Sequence, residues 1–140
     1  MTIPAFDLNR QTARLKNKYI AAIESVVDSG AFILGKEVQA FEEEAASFLG
    51  AKHAIGCASG TDALELALLA SEFETGAEVI TTPFTFVATA DVISLLKLKP
   101  VFADIDPDTH NIDLDSVKRL INSKTRAVIP VYIFGRMFSI

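Results

Sequence analysis

The chain has 140 residues, half of them hydrophobic, with 9% aromatic residues and a formal net charge of −5. That length and apolar content give one domain with a real core and exclude a disordered chain. The acidic balance, with basic residues scattered no more densely than in pairs, argues against a nucleic-acid surface.

The opening Met1-Thr2-Ile3-Pro4 does not read as a signal peptide, and no apolar run reaches membrane-spanning length. Pro4 to Leu8 reads as an extended lead-in. From Asn9 to Ser29 the spacing of Leu15, Tyr19, Ile23, Val26 and Val27 predicts a helix, and Gly30 ends it. Ala31-Phe32-Ile33-Leu34-Gly35 is an apolar loop, a segment that packs under a neighbour or lines a pocket. A second helix is predicted from Lys36 to Leu49, with Val38, Phe41, Ala45, Phe48 and Leu49 facing inward. Its Glu42-Glu43-Glu44 run reads as a solvated face rather than a metal site.

Next comes the stretch His53 to Ala70, HAIGCASGTDALELALLA. Ala54 to Ala58 has the length and composition of a buried strand. It places the single cysteine, Cys57, in an apolar run, which predicts a buried, inert thiol and a reducing compartment. Ser59-Gly60-Thr61-Asp62 is a turn of helix-starting residues, and the helix after it is apolar over most of its surface. Free backbone N–H groups, the positive end of a helix dipole and two hydroxyls would meet there, which makes an anion site. A simple helix cap is the competing reading.

Ser71 to Gly76 is a polar connection, Ala77 to Thr82 a strand, and Pro83 its stop. Thr85 can cap a helix whose Val87, Ala90, Val92, Ile93 and Leu96 face inward. Lys99 to Ile105 is predicted as a strand, 106–111 as a loop, and Asp113 as the cap of a helix running through Asn122. Thr125 to Phe134 is predicted as a last strand. Strand–helix alternation argues for a mainly parallel sheet with flanking helices, whose ligands gather at the carboxyl ends of the strands. The turn at residue 59, the aromatic pair Phe84 and Phe86, and the acids Asp104 and Asp106 converge there, which favours an anion site over a mere cap. His53 and His110 come without cysteine partners, so a zinc site has no support.

The segments FILGKEVQAFEEEAASFLGAKHAIGCASGTDALELAL, EVITTPFTFVATADVI, PVFADIDPDTHNID and TRAVIPVYIFG, in this order and spacing, resemble the DegT/DnrJ/EryC1/StrS family of pyridoxal-phosphate-dependent sugar aminotransferases. The resemblance implies an α/β fold, the amino-terminal part of a fold-type-I transferase large domain, incomplete here. Residues 1–35 would form an amino-terminal helix and loop, and residues 36–140 part of the cofactor-binding large domain. It implies pyridoxal 5′-phosphate as cofactor, a nucleotide-linked keto sugar as substrate, glutamate as amino donor, a homodimer and a cytoplasmic setting. Such enzymes make amino sugars for cell-surface polysaccharide or secondary metabolites. Gly60 and Thr61 match the groups that hold the cofactor phosphate, and Phe86 the aromatic that stacks on the pyridine ring. Without the family, Phe86 would read as a core aromatic, as Phe84 does. Phe32 is a weaker candidate for substrate contact. Asp104 and Asp106 are assigned to loop structure, and Asp62 to a favourable charge at the helix start.

None of Lys16, Lys18, Lys36, Lys52, Lys97, Lys99, Lys118 or Lys124 has the context of the family's Schiff-base lysine, so no catalytic residue and no metal ligand is assigned. Tyr132 stands where the family usually has His, Ala77 where it has Asp, and Lys97-Leu98-Lys99 where it has a glycine-bearing turn. The tail from Arg136 only partly follows the pattern. The resemblance implies that the residues at 53–58 lack their strand partner, whereas the three later strands pair with one another. A truncated, inactive piece that is partly disordered or aggregated is therefore expected. The competing readings are a non-catalytic phosphate- or nucleotide-binding α/β domain and a non-functional remnant.

Overall fold

The computed structural model describes residues 4 and 6–137. Met1 to Ile3, Ala5 and Phe138 to Ile140, which carry most of the opening tetrapeptide, part of the lead-in and the end of the divergent tail, lie outside the described residues. The chain divides into two compact units, Met1–Gly56 and Cys57–Ile140.

The first unit holds α1 (Asn9–Ser29) and α2 (Lys36–Leu49), with the bounds that the apolar spacing predicts. Both stop at a glycine in the left-handed region, Gly30 and Gly50, each with φ 64°. At Gly50 the paired bonds Gly50 N–H to Ser47 O (3.3 Å) and Ala51 N–H to Ala46 O (2.9 Å) close the last turn. Gly35 starts α2, and a Cβ there would lie 2.6 Å from Ala31 O, so only glycine fits. The expected inward faces are not buried: α1 has no buried residue, α2 buries only Ala46, and Phe48 is 89% exposed. Amphipathic spacing marks a face able to pack; these residues supply too little apolar surface to cover it.

The second unit holds α3 (Gly60–Leu69), β1 (Glu78–Thr81), α4 (Ala88–Leu95), β2 (Lys99–Phe102), α5 (Leu114–Leu120) and β3 (Thr125–Val128). Among the described residues the strands form one parallel sheet in the order β2-β1-β3, with Ile80 opposite Val101 and Val128. β1 pairs with both β2 and β3, so the three later strands share one sheet, as the resemblance implies. Successive side chains of β1 point to opposite faces. Val79 packs with Leu68, Val92, Ile93 and Leu98, whereas Ile80 packs with Ala103, Ile112 and Val117. So α3 and α4 pack on one face and α5 on the other. Full burial of Val79, Ile80, Val92 and Ile93 contributes roughly 1.5–3 kcal/mol each.

Several expectations are corrected. Residues 54–58 form no strand; they have no ladder partner among the described residues, and Ile55 is 81% exposed. Cys57 is accordingly exposed, not buried. The helix after residue 59 buries Leu68 but leaves Leu66 and Leu69 exposed. Strands β2 and β3 end earlier than their apolar runs. Ala103 N–H still donates to Thr81 O at 2.8 Å, but Asp104 N–H turns to Ser116 Oγ at 3.1 Å and Ile105 bridges antiparallel to Ile112. After Ile129 N–H donates to Ile80 O at 2.8 Å, Pro130 has no N–H to continue. Helix α4 begins at Ala88, with Val87 as its cap residue and no side-chain cap. Thr85 Oγ1 instead pairs with Thr89 Oγ1 at 2.9 Å.

Candidate functional site

The turn before α3 divides its polar groups into two sets. Ser59 is the N-cap: its Oγ accepts from Asp62 N–H at 3.1 Å and donates to Asp62 Oδ2 at 3.0 Å. That reciprocal pair closes the turn and commits the Ser59 hydroxyl. The Gly60 and Thr61 N–H groups, first in the helix, have no acceptor among the described residues, and neither does the Thr61 hydroxyl have a partner. A Cβ built on Gly60 would meet nothing within 4 Å, so the space over these amides is open. Two free amides, a free hydroxyl and the positive helix end suit a phosphate dianion. Asp62 brings a negative charge to the same turn, with one carboxylate oxygen engaged by Ser59. The cap reading holds on Ser59, while the donors of Gly60 and Thr61 stay available.

Phe86 precedes α4, which packs with α3 on one sheet face, so the turn at Ser59 and this aromatic lead into adjoining helices. Phe86 is 74% exposed, and it is not a core side chain. Phe84 is not core either: its ring lies 5.9 Å from His110 and 6.2 Å from Phe134. His110 and Phe134 meet edge to face at 5.8 Å. These three rings follow β1, β2 and β3 respectively and cluster at the carboxyl ends of the strands. His110 is held there with φ 59°. Sequence inspection gives the loops that carry Phe84 and His110, but it puts Phe134 in the last strand and does not show the meeting of the rings.

Asp106 serves its own loop. Its Oδ1 accepts from the Thr109 hydroxyl at 2.8 Å and the Thr109 amide at 2.7 Å, which hold the carboxyl below its ordinary range. Asp104 Oδ1 accepts from Ile105 N–H at 2.8 Å, again loop structure. Beside it an open crevice of about 310 Å³, lined by Pro83, Phe102, Asp104, Ser116 and Arg119, opens between the ends of β1 and β2. Phe32 belongs to the other unit, where it borders an apolar hollow of about 460 Å³ with Ile23, Val26 and Val27. No group of His, Cys, Asp or Glu able to hold a metal ion occurs among the described residues, and no helix there is long and apolar enough to cross a membrane.

UDP-2-acetamido-2-deoxy-3-oxo-D-glucuronate aminotransferase of Pseudomonas aeruginosa is 46% identical over 134 residues, covering 96% of this chain and 37% of that protein. The crystal structure of a DegT DnrJ EryC1 StrS aminotransferase from Brucella abortus superposes with TM-score 0.87 at 38% identity, covering 99% of this chain and 39% of that one. NtdA from Bacillus subtilis, solved with bound cofactor PMP, superposes with TM-score 0.91 at 28% identity over 98% of this chain and 32% of its own. The chain therefore spans about a third of the length of these relatives (32–39%), and its α/β architecture is that of the corresponding part of a fold-type-I transferase. With the DegT/DnrJ/EryC1/StrS aminotransferase family matching residues 13–140, the chain belongs to that family.

Proposed function

We propose that this chain is the part of a pyridoxal-phosphate-dependent sugar aminotransferase that grips the cofactor's phosphate. The observation that carries the reading is the set of unused donors at Gly60 and Thr61, under open space, on the two residues that the sequence resemblance matches to the family's phosphate-holding groups. When bound, the cofactor supplies an electron sink for exchanging an amino group with a carbonyl. Toward it, the Gly60 and Thr61 amides and the Thr61 hydroxyl receive the phosphate oxygens. Ser59 and Asp62 keep the turn closed, and exposed Phe86 offers a flat face to the ring. Phe32 is the candidate for substrate contact.

The substrate class we infer is a nucleotide-linked keto sugar, in line with the name of the Pseudomonas aeruginosa relative. We assign glutamate as donor, a homodimer as the working form and the cytoplasm as the setting. The proton-moving Schiff-base lysine and the carboxylate that pairs with the pyridine nitrogen are placed outside these residues, so the 140 residues alone do not complete the reaction.

Titration of the chain with pyridoxal 5′-phosphate, followed by absorbance and by competition with inorganic phosphate, tests this. Binding weakens about tenfold or more in Thr61→Ala, which loses a hydrogen bond to a charged group. Borohydride treatment at stoichiometric cofactor leaves no site-selective lysine adduct by mass spectrometry. Absence of phosphate-competable binding sinks the phosphate reading, and a single dominant lysine adduct sinks the placement of the catalytic lysine elsewhere.

A further inference from the structure

Asn111 is a buried polar side chain whose partner lies far along the chain. It is 4% exposed, and its Nδ2 donates to Arg136 O at 3.0 Å. A buried amide needs such a partner, so this bond is part of the packing. The loop that presents Asn111 is closed on itself. Asp106 N–H donates to Asn111 O and His110 N–H donates to Asp106 O, both at 2.9 Å. Asp106 Oδ1 accepts from the Thr109 hydroxyl and from the amides of Asp108 and Thr109. From this fixed base Asn111 reaches across to the loop after β3.

The two segments that this bond joins carry two of the three clustered rings. His110 is next to Asn111, and Phe134 stands two residues before Arg136. Both rings lie against Phe84, at 5.9 Å and 6.2 Å, and against each other at 5.8 Å, spacings at which aromatic pairs attract. His110 holds its ring there at φ 59°, a backbone conformation that residues with a side chain adopt only where their surroundings fix it. Phe84 is tied in turn to the segment that presents Phe86. Phe84 N–H donates to Thr82 Oγ1 at 3.1 Å, and Thr85, between the two phenylalanines, pairs its hydroxyl with Thr89 of α4 at 2.9 Å. Phe86 is therefore bracketed by the seated Phe84 on one side and by α4 on the other. All of these residues belong to the second unit.

We propose that Asn111 is a positioning residue for Phe86. By latching the loop after β3 to the loop after β2, it brings His110 and Phe134 together on Phe84, and the seated Phe84 sets the direction in which Phe86 faces a pyridine ring. Asn111 touches no ligand. The inference rests on the reading of Phe86 as the aromatic that stacks on the cofactor.

The test separates the ring of the cofactor from its phosphate. Affinities for pyridoxal 5′-phosphate and, by competition, for inorganic phosphate are measured on the chain and on its Phe86→Ala, Asn111→Ala, Phe134→Leu, Phe134→Tyr and Phe86→Ala/Asn111→Ala variants. Phe86→Ala weakens pyridoxal 5′-phosphate about tenfold, the upper range of one aromatic pair, and leaves inorganic phosphate unchanged, because the turn at Gly60 and Thr61 is untouched. Asn111→Ala and Phe134→Leu each weaken pyridoxal 5′-phosphate about fivefold and also spare inorganic phosphate. Phe134→Tyr keeps the ring and binds as the unaltered chain does. The double variant is no weaker than Phe86→Ala, because Asn111 acts through Phe86. Should Asn111→Ala not fold, Phe134→Leu carries the test, since that ring is 71% exposed and its loss spares the buried amide. Equal loss of both ligands in Asn111→Ala or Phe134→Leu is general destabilisation and overturns the proposal. Unchanged pyridoxal 5′-phosphate binding in either variant, or an additive loss in the double variant, overturns it too, and the stacking reading stands on Phe86→Ala. If the unaltered chain does not bind pyridoxal 5′-phosphate, or Phe86→Ala does not weaken it, the stacking reading falls and takes this proposal with it.

Discussion

Thr81 shows how a single side chain secures the carboxyl end of the sheet. Fully buried, its Oγ1 donates to Ile129 O at 3.0 Å, tying the end of β1 to the chain just past β3. Thr81→Val keeps the shape and removes the donor, leaving a carbonyl short of a partner. Stability falls by about 1–3 kcal/mol, measurable as a shift in the urea midpoint. An unchanged midpoint would mean that Ile129 O finds another donor. At this scale the sequence told only part of the story. The Ser-Gly-Thr-Asp motif is legible as a helix start and as a candidate anion site, but which hydroxyl the fold consumes is not. Ser59 and Thr61 are similar side chains two residues apart, and only the turn's backbone geometry directs Ser59 onto Asp62. Asn111 was hidden for the same reason, since its partner is a main-chain carbonyl twenty-five residues away.

The elements were legible where local chemistry decides them. Gly30 and Gly50 end α1 and α2 where a left-handed residue is needed, and Asp113 caps α5 by accepting from Asp115 N–H at 3.0 Å. Strand ends were not, because Val101, Ile129 and their neighbours have the same composition inside and beyond the ladder. At the amino end of the sheet a buried carboxylate joins all three strands. Glu78 of β1 accepts from Asn122 Nδ2, just before β3, at 2.7 Å, and from Lys99 Nζ of β2 at 2.9 Å. The Asn122 bond first, and then Lys99, hold the Glu78 carboxyl below its ordinary value of 4.5. A carboxyl depressed by folding stabilises the native state above its unfolded value, and that contribution is lost as pH falls through the depressed one. Thermal melts of the chain and of Glu78→Gln should therefore differ at neutral pH, with the variant less stable, and converge on acidification below the ordinary carboxylate range. A gap that persists into acid would assign the effect to packing.

Over the whole chain, the second unit encloses a core on both sheet faces, whereas Phe41, Phe48 and Leu49 of α2 and Ile33 and Leu34 of the preceding loop stand exposed. Surfaces of this kind associate. The isolated chain is expected to sediment as a concentration-dependent mixture, or to melt over a broad range; one monomeric species with a sharp, cooperative transition would overturn that. The parallel arrangement of the three later strands was legible from strand–helix alternation and from the resemblance. The lack of cover over α1 and α2 was not, because amphipathic spacing marks a face without saying whether anything packs on it. The sheet order also has a bearing on synthesis. The middle strand leaves the ribosome first and finds one flank's companion some twenty residues later, but its other flank stays bare until the last strand emerges. For that interval the nascent chain carries an open main-chain edge on a strand whose residues are all buried in the finished fold, and translation speed between the second and third strands governs how long a chaperone has to shield it.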